Sequence, residues 1–116
     1  MIVQPTFQAK SILKTEFCRG RIPLKKDITG RKIKNVTVDH TIPKSKGGKS
    51  ELYNYSLMDS VSNMERSNKP IRKSIDLESL IDYILVMLDV KTDSFNGVKY
   101  LKGWLRTLKR ALKEGK

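Results

Sequence analysis

The sequence predicts a small α+β protein, and three observations carry that expectation. A β-branched run ending in Asp39-His40, a glycine-paired loop and a second alternating stretch read as two short strands followed by a short helix. Two apolar stripes at helical spacing come later, over residues 77–88 and 98–112. With 116 residues the chain can bury one modest core but not two. Residues 1–116 are therefore read as one domain, with a motif core at 17–69 and a C-terminal helical pair at 76–114.

Residues 1–34 are strongly basic, with nine Lys/Arg against two acids. Phe7 to Phe17 is expected to form a short helix, with Phe7, Ile12 and Leu13 as candidate core contacts. Met1 to Phe7 is short and interrupted by polar residues, unlike a signal peptide. Cys18 is the only cysteine, so no internal disulfide can form. A closed zinc site takes four N/S ligands, so Cys18 reads as a small buried hydrophobe. Asp27-Ile-Thr-Gly30 reads as a turn between two short extended pieces.

Asn35 to Val38 is expected as a strand that ends by presenting Asp39 and His40, the sole histidine. Lys44 to Ser50 is a loop, because Gly47-Gly48 among lysines and serines cannot carry a buried face. Tyr53 to Met58 alternates as a second strand. Asp59 or Ser60 is a fair N-cap for a helix that must stop near Asn68, before Pro70. The unit offers one base (His40), one carboxylate (Asp39), two amides (Asn54, Asn63) and a guanidinium (Arg66).

These residues resemble the HNH endonuclease family, the ββα-metal or His-Me finger nucleases. The shared pattern is Asp39-His40, the Pro43-Lys-Ser-Lys-Gly47-Gly48 loop, Asn54 opening the second strand, and Asn63 on the helix where many members have His. The resemblance implies a ββα-metal core with additional C-terminal helices, and a metal-dependent DNA endonuclease that nicks one strand per site. It makes His40 the general base, an imidazole of reference pKa about 6.5 being matched to proton removal near neutral pH. It makes Asp39 and Asn63 the metal ligands. An oxygen-only pair favours one Mg²⁺ or Mn²⁺ ion over zinc, and the cysteine pairs of the structural-zinc form are absent from the sequence. Asn54 would fix the His40 ring by a backbone or side-chain hydrogen bond. Arg66, three positions after Asn63, would clamp a phosphate. Lys44, Lys46, Lys49, Lys69, Arg72 and Lys73 would grip the nucleic-acid backbone without reading sequence. Taken singly, the same residues have plainer readings: a packing histidine, a strand-end cap, a turn asparagine, and an amide and an arginine on a solvated helix face.

Asp76 then looks like an N-cap for a helix with Leu77, Leu80, Ile81, Ile84, Leu85 and Leu88 at helical spacing, a core or partner face. Lys91 to Gly97 is a linker with Asp93, Ser94 and Asn96 available as caps. The last helix sets Val98, Leu101, Leu105, Leu108 and Leu112 on one face with Trp104 beside it, and its remaining surface is basic. Three readings stay open for it: packing on the preceding helix, contact with a DNA backbone, or lying on a membrane.

The formal charge of +12 draws the chain to polyanions. Double-stranded DNA is the expected partner, with room for a homodimer through the C-terminal helices. No apolar run is long enough to span a membrane, and the expected location is the cytoplasm of a bacterial or phage-infected cell. Two other functions compete: a non-catalytic basic DNA-binding module on the same fold, and a nonspecific RNase or DNase toxin.

Overall fold

A computed structural model describes residues 5–66, 69 and 71–114, with side chains from Ile12 to Lys113. The Phe7 side chain, Asn68, Pro70 and Lys116 lie outside the described residues. The first helix, α1, spans Pro5–Cys18 and buries Leu13 and Glu16. Glu16 is held there by hydrogen bonds from Ser94 Oγ (2.5 Å) and Arg21 Nη1 (3.4 Å). Cys18 corrects the sequence reading: it is exposed. It closes the helix about 140° around the axis from Leu13, away from the packed side.

The turn expected at Asp27–Gly30 is present. Gly30 N–H donates to Asp27 O (3.0 Å) at a φ of 91°, and Lys26 bridges Lys32 across it. Asp27 is fully buried, and its oxygens accept from Thr29 N, Thr29 Oγ1 and, across the chain, Asp59 N. Asp59 in turn accepts from Lys34 N, Asn35 N and Val61 N. Two buried carboxylates thus fasten an irregular loop to the second strand and the helix after it, each satisfied by backbone N–H groups.

Strand β1, Val36–His40, pairs antiparallel with β2, Tyr55–Asp59, in the register Val36↔Asp59, Val38↔Leu57 and His40↔Tyr55. Helix α2, Ser60–Arg66, follows β2 without a loop. The Asp59 bond to Val61 N–H supplies its N-terminal cap, as expected for an Asp at that place. β2 is buried along its whole length, although it lies at the edge of a two-stranded sheet.

Helices α3, Leu77–Leu88, and α4, Gly97–Glu114, explain that burial. Leu57 N–H donates to Tyr83 Oη (3.2 Å), and Tyr100 Oη donates to Tyr55 O (2.5 Å). The two phenol oxygens are 3.0 Å apart. A phenol has one hydrogen, and that of Tyr100 goes to Tyr55, so Tyr83 donates to Tyr100. The strand edge is sealed by this relay, and Trp104, hydrogen-bonded to Ser56 Oγ, stacks on Tyr83 at 4.9 Å. Burial holds the Tyr83 hydroxyl proton on, pushing its pKa up to about 12, and raises that of Tyr100 well above its usual value.

The caps at Asp76 and Asn96 form as expected, accepting from Ser79 N and Lys99 N. The buried faces do not follow the leucine count. Leu77, Ile81, Leu85 and Leu88 are exposed, and the buried side of α3 carries Ser79, Tyr83 and Met87. In α4, Val98, Leu105 and Leu112 are exposed while Tyr100, Leu101, Trp104 and Leu108 are buried. The strand edge demands a hydroxyl, which Tyr83 and Tyr100 supply and leucine cannot, and that requirement sets the rotation of both helices. A Cβ on Gly97 would stand 1.6 Å from Met87 O, so the close approach of α4 to the end of α3 needs glycine. One hydrophobic cluster runs from Leu13 to Leu108. Among the described residues no helix is long and apolar enough to cross a membrane.

Candidate active site

Side chains alternate across a strand, so Thr37 and Asp39 face one side of β1 while Val38 and His40 face the other. Helix α2 lies on the Thr37/Asp39 side. Asn63 Nδ2 donates to Thr37 Oγ1 (3.1 Å), and Arg66 Nη1, one helical turn on, donates to Asp39 Oδ2. The same guanidinium donates to His40 O (2.7 Å) and, through Nη2, to Thr41 O (2.7 Å). These carbonyls stand where the ladder ends, so Arg66 satisfies groups that no partner strand reaches.

Arg66 is 2% exposed. It is neither the open phosphate clamp nor the solvated helix arginine that the sequence suggested. The helix is short and pressed against the hairpin, so a residue at this turn points inward. The Asp39 carboxyl has its pKa raised by burial, against the opposing pull of the Arg66 guanidinium and of the His40 ring and N–H.

The His40 ring packs edge-on against Tyr55, its cross-strand neighbour, with ring centres 5.0 Å apart. Its Nε2 lies 3.1 Å from Ser50 Oγ. Asn54 does not reach the ring through its amide hydrogens: both are engaged, with Ile42 O (3.0 Å) and Lys49 O (2.9 Å). Its Oδ1 accepts from Ile42 N (2.8 Å), and its backbone oxygen accepts from Thr41 N (2.7 Å). Asn54 therefore holds the loop that follows His40 and fixes the strand end. Gly48 belongs to the same clamp, for a Cβ there would fall 1.7 Å from Ile42 O. Its neighbour Gly47 instead takes the left-handed conformation, φ 87°, that ends the short 3₁₀ turn at Lys44–Lys46.

The six basic residues expected to meet a backbone are all exposed. They fall into two groups. Lys44, Lys46 and Lys49 sit on the loop clamped by Asn54, beside Ser50 and the His40 ring. Lys69, Arg72 and Lys73 lie beyond the C-terminal end of α2. Ser50, Thr37 and Tyr55, which hold His40 and Asn63 in place, carry no signal of their own in the sequence; only the strand register pairs Tyr55 with His40. Among the described residues no group of three or more His, Cys, Asp or Glu side chains gathers. Of the two residues expected to hold a metal, Asp39 is engaged by Arg66 and Asn63 gives its amide nitrogen to Thr37. Compared with known proteins, the chain matches no family model, no curated protein and no solved structure.

Proposed function

We propose that the chain is a metal-dependent endonuclease of the ββα-metal type, hydrolysing phosphodiester bonds in duplex DNA one strand at a time. The observation that carries the reading is the run from β1 through β2 directly into α2. It holds Asp39 and His40 at a strand end and pins Asn63 to Thr37, on the strand face that Asp39 shares. The net charge of +12 and the lysines flanking His40 supply the pull on a phosphate backbone.

His40, whose Nε2 lies 3.1 Å from Ser50 Oγ, is the base that takes a proton from attacking water. Tyr55 and the Asn54 clamp keep the ring and its strand end from turning away. Asp39 and Asn63 suit one Mg²⁺ or Mn²⁺ ion completed by water and substrate, because both offer hard oxygen. A carboxylate has two oxygens, so Asp39 can keep Arg66 on one and offer the other. When bound, such an ion supplies Lewis-acid stabilisation of the leaving oxygen.

Nicking of supercoiled plasmid with Mg²⁺ or Mn²⁺ tests the reading. Wild type is expected to nick, and His40→Ala to lose at least about a hundredfold in rate, the lower range for a general base. Equal nicking by both proteins removes His40 from the mechanism. One observation favours a second reading, a basic DNA-binding module without catalysis: Asp39 is already neutralised by a buried arginine. On that reading duplex DNA is bound, both proteins leave the plasmid intact, and added metal changes nothing. The exposed leucines of α3 are where a second copy would dock, were the protein to act as a dimer.

A further inference from the structure

Seven of the nine exposed large apolar side chains among the described residues lie on α3 and α4. Scattered singly they would need no explanation; set in rows they mark a surface that a partner covers. Leu77, Ile81, Leu85 and Leu88 are 44–69% exposed and fall within about 80° of one another around α3. Val98, Leu105 and Leu112, spaced by one heptad, lie within about 40° on α4. The two helices run in opposite senses, since Gly97 meets Met87 and Trp104 stacks on Tyr83. Both rows border the outer side of the seam between them. Around α3, Ser79 meets the Asp27–Gly30 turn and Tyr83 and Met87 meet α4; then come half-buried Leu80 and Ile84, and then the exposed row. Around α4, Gly103 meets Tyr53 and Trp104 and Gly97 meet α3; Leu108 follows, and then Leu112, Leu105 and Val98.

Charge sets the two flanks of this face apart. Residues 76–90 hold four acids and no Lys or Arg, in a chain with 24 Lys+Arg against 12 Asp+Glu. Glu78, Asp82 and Asp89 fall within about 40° of one another, just beyond Leu85. On α4, Lys102 and Lys109 come just beyond the Val98 row. All five are exposed, and none has an ion pair among the described residues. From edge to edge the face therefore carries acids, an apolar middle and lysines. A nucleic acid or an anionic membrane suits only the lysine edge and is repelled by the acids. We propose that this face binds a second copy of the chain, α3 of each lying on α4 of the other about a two-fold axis parallel to the helices. That axis sets the acids of one copy over the lysines of the other, twice, as an isologous contact requires. It also closes the apolar rows between them. An axis across the helices would lay α3 on α3 and acid on acid. The inference does not rest on the nuclease reading, because His40, Asp39, Asn54, Asn63 and Arg66 all lie outside α3 and α4.

The test is sedimentation velocity of the full chain at about 0.15 M salt, where a Debye length of about 8 Å screens the net charge of each copy. Wild type is expected to pass from monomer to dimer between about 1 μM and about 1 mM. Glu78→Lys/Asp82→Lys and Lys102→Glu/Lys109→Glu are each expected to weaken the dimer about tenfold or more, because like charges then meet. Mixed in equal amounts, the two variants are expected to form a heterodimer as tight as wild type, with one native and one reversed set of pairs. Two losses and one rescue together are the signature of α3 on α4. Asp82→Lys and Lys109→Glu, single exposed sites, replace any double variant that dichroism shows unfolded. The proposal is overturned if wild type stays monomeric at about 1 mM, if either reversed variant dimerises like wild type, or if the mixture fails to dimerise. A monomer that instead sediments with phosphatidylserine–phosphatidylcholine vesicles assigns the face to a membrane and also overturns it. Because no step requires cleavage, a plasmid left un-nicked bears on the proposed enzyme and not on this face.

Discussion

Arg66 places a full charge at a position 2% open to solvent, and the cost of that burial is offset by Asp39 and two strand-end carbonyls. Removing it strands Asp39, whose side chain is only 16% exposed. Arg66→Met is therefore expected to lower stability by about 3 kcal/mol in denaturant unfolding, with part of the loss recovered in Asp39→Asn/Arg66→Met. Asp59 shows the complementary case. Hydrogen bonds from the Asn35, Lys34 and Val61 N–H groups hold its pKa below the ordinary carboxylate value. A depressed folded pKa gives stability that is complete above the unfolded value of about 3.9 and fades as pH falls toward the folded one. Between pH 5 and pH 3 the melting temperature of wild type should drop more steeply than that of Asp59→Asn. At this scale the sequence named Asp39, His40, Asn54, Asn63 and Arg66 as a set. In the structure Arg66 binds Asp39 and the His40 and Thr41 carbonyls, Asn54 holds the loop after His40, and Asn63 bonds Thr37 farther back along β1. The sequence did not reveal which way Arg66 points. Helical spacing gives the side of α2 on which a residue sits, but the depth to which that side is buried depends on the hairpin it meets.

For the elements, what was legible is what local physics decides. The strand pair, the helix starting after Asp59, the caps at Asp76 and Asn96 and the Asp27–Gly30 turn all follow from residue type and spacing. The faces of α3 and α4 did not, because counting leucines ignores the polar needs of the surface they cover. A pair of substitutions exposes the difference. Tyr100→Phe leaves Tyr55 O without its donor and is expected to cost about 1–3 kcal/mol. Ile81→Ser, on the helical stripe that looked like core, should change stability by no more than about 0.5 kcal/mol, since Ile81 is 49% exposed. Gly48→Ala probes the loop after His40, where the new methyl has to displace the Ile42 carbonyl. Its expected signature is a lower melting temperature together with altered amide resonances at Ile42 and Asn54, the two ends of the clamp.

Over the whole molecule, charge is the dominant long-range property. On the proposed reading, a chain with 24 Lys+Arg against 12 Asp+Glu would hold a phosphate backbone mainly by releasing counterions from it. Binding to duplex DNA should fall linearly on a log–log plot against salt. Neutralising Lys44, Lys46 and Lys49 together should flatten that slope by about one unit for each phosphate they no longer neutralise, with no change in sequence preference. A slope untouched by those substitutions would move the binding surface to another part of the molecule, such as the basic side of α4. The sequence announced this property in its composition.

Trp104, the one tryptophan, is sandwiched against Tyr83 and donates its indole N–H to Ser56 on β2. The protein therefore contains its own optical gauge, situated where the last helix meets the strand that leads into α2. Its emission should be blue and shielded from acrylamide in the native state. If α4 swings away from the hairpin, the spectrum should shift to longer wavelength and become quenchable, even while far-ultraviolet dichroism still reports intact helices. Fluorescence and dichroism followed in parallel through a urea gradient would thus distinguish a molecule that opens along this seam before it melts from one that comes apart all at once.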